Sequence, residues 1–83
     1  MKHRYWKRQT FVVTGRGSFP VDMMRYAGAV YSSPTDRAEA ARVRAYNDPF
    51  TVKIDFDVHN AEWPEMVAER FASFGARMVR YGR

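Results

Sequence analysis

Between residues 50 and 59 the chain reads Phe-Thr-Val-Lys-Ile-Asp-Phe-Asp-Val-His. Phe50, Val52, Ile54, Phe56 and Val58 alternate with Thr51, Lys53, Asp55, Asp57 and His59 without exception. Successive side chains of a strand point to opposite faces, so this pattern specifies a half-buried strand in a sheet with one dry face and one wet face. Wound into a helix, the same residues would scatter their apolar groups around the axis. The rest of the chain must therefore supply partner strands and a layer of helices for the apolar side.

The flanking segments offer both. Arg8 to Thr14 is β-branched and aromatic, with Phe11 and Val13 on one face, and predicts a first strand stopped by Gly15 and Gly17. Pro20 suits a first helical position, and Val21 to Tyr26 predicts a short helix ended by Gly28. In Ser33-Pro34-Thr35-Asp36, a capping serine precedes proline, with an acid three residues on. The helix opened there runs to about Tyr46, with Ala38, Ala41 and Ala45 as a small-residue stripe for close packing on a sheet. Asn47-Asp48-Pro49 ends it. Asn60 caps a third helix, on which Trp63, Val67, Phe71 and Phe74 form one apolar stripe and Gly75 is the stop. Ala76 to Tyr81 predicts a last strand, its facing left open because Met78 and Val79 are adjacent. The expected fold is a small α+β domain of order β-α-α-β-α-β: a three-stranded sheet with two to three helices packed on one face.

Eighty-three residues make one domain, 1–83, without room for a second core. A chain of this size buries roughly 60% of its unfolded surface, which disfavours a deep enclosed active site. There is no cysteine, which removes disulfides and thiolate metal sites and fits a reducing compartment. Met1-Lys2-His3-Arg4 is basic, but Lys7, Arg8 and Gln9 interrupt any apolar signal segment. No run approaches the ~20 apolar residues of a membrane span, so a cytoplasmic protein without membrane contact is expected.

Charge is segregated along the chain. The net charge is +5, yet residues 17 to 74 hold all nine acids and only six of the fourteen bases. Lys2, Arg4, Lys7, Arg8 and Arg16 lie at one end, and Arg77, Arg80 and Arg83 at the other. Basic ends of this kind suit a polyanion or an acidic partner surface. Lys2 to Arg8 also interleaves Tyr5 and Trp6, flat rings on which bases stack, within a flexible basic N-terminal arm expected over residues 1–7.

Two further constellations bear on chemistry. Thr14-Gly15-Arg16-Gly17-Ser18 resembles a phosphate-binding turn, but a dinucleotide fingerprint requires glycine where Pro20 stands, and no Gly-Lys-Ser/Thr triplet occurs. A turn with Arg16 at its tip is the expectation. Asp55, Asp57 and His59 share a strand face about 6.5–7 Å apart per step, loose geometry for a divalent metal. Strand alternation accounts for all three, so neither a metal nor a cofactor is expected.

These observations favour a non-catalytic protein engaging nucleic acid or a nucleoprotein complex through Lys2, Arg4, Tyr5, Trp6, Lys7, Arg8, Arg16, Arg77, Arg80 and Arg83. The alternative is a phage or mobile-element inhibitor, of the size and class of anti-CRISPR proteins, or an adaptor. It would bind protein, as a possible homodimer, through Met23, Met24, Tyr26 and Tyr31 on the least regular segment. A metal-dependent hydrolase at Asp55, Asp57 and His59 comes third.

Overall fold

The computed structural model describes residues 7–43 and 47–82. The alternating segment forms a strand, β3 (Pro49–Val58), with Phe50, Val52, Ile54 and Phe56 buried. Its principal partner is β1 (Lys7–Arg16), antiparallel over ten residue pairs from Lys7 opposite Val58 to Arg16 opposite Pro49. β4 (Arg77–Arg80) pairs antiparallel with the other side of β1. Here Met78 turns inward and is buried, while Val79 turns outward and is 45% exposed. The expected three strands become four, because Val30–Tyr31 (β2) pairs antiparallel with β3 at Asp55 and Ile54. Two residues between a helix-ending glycine and a capping serine are too short a stretch to display alternation.

The order is β2-β3-β1-β4 in a fully antiparallel sheet. Each β-α-β unit is split by a strand of the other, the ferredoxin-like arrangement. One helix, α2 (Pro34–Arg42), is added between β2 and β3.

Gly15 corrects the expected end of the first strand. It lies inside β1 opposite Phe50, and a Cβ on it would sit 2.7 Å from the Phe50 ring. Its role is close packing. Gly17 makes the turn instead, at φ 89°, with its N–H donating to the Asp48 carbonyl. The following α1 (Asp22–Ala27) and the later α3 (Trp63–Ala72) end alike. Gly28 (φ 65°) and Gly75 (φ 82°) are left-handed, and the N–H groups of each glycine and the alanine after it close paired bonds onto the last turn. That double closure is a Schellman motif, which glycine adopts without the Cβ clash other residues incur.

α2 (Pro34–Arg42) begins as its sequence specifies: Ser33 Oγ accepts from the Asp36 N–H at 3.2 Å and donates to the Asp36 carboxylate at 2.6 Å. The helix stops at Arg42, short of Tyr46, because Val43 turns extended (ψ 148°) and buries its side chain. Ala38 and Ala41 are exposed, so the expected alanine stripe is not the packing face; Asp36, Ala40 and Val43 are the buried positions. Ala45 lies outside the described residues, as do Arg44 and Tyr46.

α3 follows a turn closed by Asn60, whose Oδ1 accepts from the N–H groups of Glu62 and Trp63. Val67 and Phe71 are fully buried and Trp63 is half-buried against the core. Phe74, expected on the same stripe, is 59% exposed. The helix ends two residues before it, and the glycine closure turns its ring outward. Phe11 stacks on Phe56 with centroids 4.5 Å apart, and Phe19 meets Phe50 edge-on at 5.5 Å, so aromatic rings fill the centre of the domain.

Asp36 is the one buried charged residue among those described, at 6% exposure. Its second oxygen accepts from the Lys53 N–H at 2.8 Å, which ties the start of α2 to the edge of β3. Replacing it with alanine strands that N–H and is expected to cost about 1–3 kcal/mol. Asp36→Asn keeps an acceptor and should recover part of the loss. Thermal melts of the two variants check this, and a wild-type melting point for Asp36→Ala would refute it.

Candidate functional site

The helices pack against the side of the sheet that carries Phe11, Val13, Val52, Ile54 and Met78. No described element covers the opposite face. Strand parity and register assign to it Arg8, Thr10, Val12, Thr14 and Arg16 from β1, Thr51, Lys53, Asp55 and Asp57 from β3, and Arg77 and Val79 from β4. Val30 at the β2 edge and Tyr81 just past β4 extend it, and both are more than half exposed. Lys53 reaches over β1, bringing its ammonium 4.8 Å from the centre of the Tyr81 ring. The long lysine stem thereby covers apolar surface while its charge stays at the water boundary.

Four cations, Arg8, Arg16, Lys53 and Arg77, thus share a face with two carboxylates, and each carboxylate is already engaged. Asp57 pairs with Arg8 at 3.2 Å. Asp55 accepts from Thr10 Oγ1 at 2.7 Å and Ser32 Oγ at 2.6 Å. Arg16, expected at a loop tip, sits at the strand end and donates to the Asn47 carbonyl at 2.8 Å. Arg77 and Lys53 have no carboxylate partner among the described residues. The face is therefore net positive, with its apolar groups and one aromatic ring lying between the charges.

Of the sequence-derived basic set, Lys7, Arg8, Arg16, Arg77 and Arg80 are described; Lys2, Arg4, Tyr5, Trp6 and Arg83 lie outside the described residues. β1 and β4 are neighbours, as a joint basic surface requires, but the register divides the cations between faces. Arg80 is opposite Phe11, on the helix side, where its guanidinium lies 5.7 Å from that ring and donates to Gln9 Oε1. Arg8 and Arg77 lie on the open side.

The alternative Met/Tyr surface is not assembled. Met23 is 3% exposed and Met24 8%, so both are core residues contributed by α1. Six helical residues are enough to turn these adjacent methionines into the interior. Tyr26 is half-buried against Trp63 and lies beneath the Arg70 guanidinium, 4.4 Å from its ring centre. Tyr31 packs on Phe19, with Arg37 over its ring.

Asp55, Asp57 and His59 do not converge. Two are engaged as described, and His59 lies beyond the end of β3 with its ring 6.3 Å from that of Trp63. Among the described residues no group of three or more His, Asp or Glu side chains is placed to hold a metal ion. Asp55 also departs from the expected solvated role, since one of its oxygens joins β1, β3 and the loop after β2. Asp55→Ala should accordingly cost about 1–3 kcal/mol. Asp57→Ala should stay within about 1 kcal/mol, because its ion pair is 39–48% exposed. Urea titration of the two variants distinguishes them; equal stabilities would show that the Asp55 bonds contribute nothing.

Lys53, Tyr81, Val12, Val79 and Val30 were missed as members of a common surface. Alternation marked Lys53 as outward-facing, but only the strand order brings it beside Tyr81. Among the described residues no helix is long and apolar enough to cross a membrane. No family model, curated protein or solved structure matches this chain.

Proposed function

We propose that this chain is a non-catalytic binding protein that takes single-stranded nucleic acid, free or within a nucleoprotein complex, across the open face of its sheet. The observation that carries the reading is the face that no described element covers, where Arg8, Arg16, Lys53 and Arg77 surround Val12, Val79 and the exposed ring of Tyr81. Cations neutralise phosphates, and an aromatic ring beside apolar side chains gives a base a surface to stack on. Single strands suit such a platform better than a duplex because their bases are unstacked and accessible. Arg8 and Arg16 are eight residues apart on one strand, roughly 27 Å, room for several nucleotides.

Binding of fluorescently labelled single-stranded DNA and RNA, followed by anisotropy as salt is raised, tests the reading. Four phosphate contacts predict a log-log slope of about −2.8, so a fourfold rise in salt should weaken binding roughly 50-fold. Failure of every oligonucleotide to bind at low salt would sink it.

A further inference from the structure

The two edges of the sheet are finished differently. On the β2 side, where the strand lasts only two residues, α2 takes over the sealing of β3. The Lys53 carbonyl accepts from the Ser32 N–H, and its own N–H is held by Asp36. On the other side β4 is the outermost strand. The Tyr81 N–H donates to the Thr10 carbonyl, which fixes the parity of the ladder: residues 77, 79 and 81 turn their peptide groups toward β1. Those of Met78 and Arg80 therefore point away from the sheet, and no described strand takes them.

Charged side chains commonly guard such an edge. Arg80 instead folds back over β1, toward Gln9 and Phe11, and leaves its own backbone uncovered. Beside the edge, between β4 and α3, lies a depression of about 210 Å³ lined by Phe11, Pro64, Glu65, Ala68, Met78 and Arg80. A strand added about 4.8 Å beyond β4 would set alternate side chains level with this depression, and the others level with Arg77 and Val79. Arg77 stands on this strand facing the open side, and residues 77 to 82 hold no acid.

We propose that the free edge of β4 accepts an extended acidic peptide segment of a partner protein as a fifth strand. The main chain bonds to the peptide groups of Met78 and Arg80, apolar side chains enter the depression beside Met78, and the alternate carboxylates, on the other face, meet Arg77. Backbone pairing supplies affinity in this mode, and the side chains on either face select the sequence. A second copy of β4 supplies no carboxylate for Arg77 and adds positive charge to an edge that already carries it. The outward peptide groups of Met78 and Arg80 are not used by the nucleic-acid reading, so this proposal does not depend on it, although Arg77 serves both.

The test uses a short synthetic peptide alternating leucine with aspartate, plus a version with lysine in place of aspartate. Amide hydrogen exchange of the full chain is followed by NMR with each. The aspartate peptide is expected to slow exchange at Met78 and Arg80 at least tenfold, and the lysine peptide to leave both unchanged. Arg80→Pro removes one outward N–H without touching the β1 ladder; it should abolish peptide binding and spare oligonucleotide binding. Should that variant misfold, the wild-type exchange data decide. Unchanged exchange with the aspartate peptide overturns the proposal, as does equal protection by the lysine peptide. So does protection already present in the free chain: if concentration-dependent, a second copy covers the edge, and if not, this chain covers its own.

Discussion

Phe71→Ala is expected to remove a quarter or more of the stability of this domain, and Phe74→Ala almost none. The two rings stand three residues apart, and helical periodicity assigns both to one apolar stripe. Phe71 is fully buried, 6.3 Å from the ring of Phe19, and its carbonyl receives the Ala76 N–H that closes α3. Truncating a phenylalanine in such a site costs about 3–5 kcal/mol, from lost transfer energy plus the cavity left behind. A domain of this length has roughly 4–12 kcal/mol in total. With a shift of about 4–8 °C per kcal/mol at this size, the melting point should fall by at least roughly 12 °C, or the chain should fail to fold. Phe74 lies past the end of the helix, 59% exposed, and its removal should change stability by no more than about 0.5 kcal/mol. Calorimetry on both variants measures the difference. Comparable melting points would mean that α3 does not pack through Val67 and Phe71, and the architecture would fail with it.

The same pair shows where local patterns stop being informative. Period and capping signals act over a few residues, and they located β3, the start of α2 at Ser33 and the glycine ends of α1 and α3. Phe74 follows the helical period correctly but meets a helix that has already ended, because termination depends on Gly75 and Ala76 bonding back. Gly15 reads as a turn signal in sequence, whereas its absent side chain serves Phe50, 35 positions away. Alanine spacing on α2 suggested a packing stripe, but the helix is positioned by Asp36 reaching the Lys53 backbone, a bond that no local pattern encodes. β2 exists only because β3 offers it an edge.

The candidate site suffers most from this locality. A run such as Lys2 to Arg8 shows charge but not face. Charge alone groups Arg80 with Arg77, whereas strand parity sends them to opposite sides of the sheet. Met23 and Met24 resembled an adaptable contact surface until a single turn of helix carried both inward. Conversely, the open face collects residues from three strands and the β2 edge, each unremarkable alone, which only the order β2-β3-β1-β4 brings together.

Reversing Lys53 and Arg77 to glutamate is therefore expected to damage oligonucleotide binding more than reversing Arg8 and Arg16, although all four are basic. Arg8 shares its charge with Asp57, and Arg16 is held by the Asn47 carbonyl, so both are partly committed within the protein. Lys53 and Arg77 have no such carboxylate partner among the described residues, and they flank the Val12–Val79 strip beside Tyr81. Loss of two phosphate contacts should flatten the salt slope by about 1.4, and the introduced carboxylates should repel the backbone further at low salt. Folding should hardly notice, because neither side chain enters the core and exposed charge changes cost at most about 1 kcal/mol. Tyr81→Ala separates stacking from charge: it should weaken binding by about 1–3 kcal/mol if a base stacks there, while leaving the salt slope unchanged. Anisotropy titrations across a salt series, with thermal melts of each variant, give all of these quantities. If Lys53→Glu/Arg77→Glu binds single strands with the wild-type affinity and slope, the open face is not where nucleic acid is held.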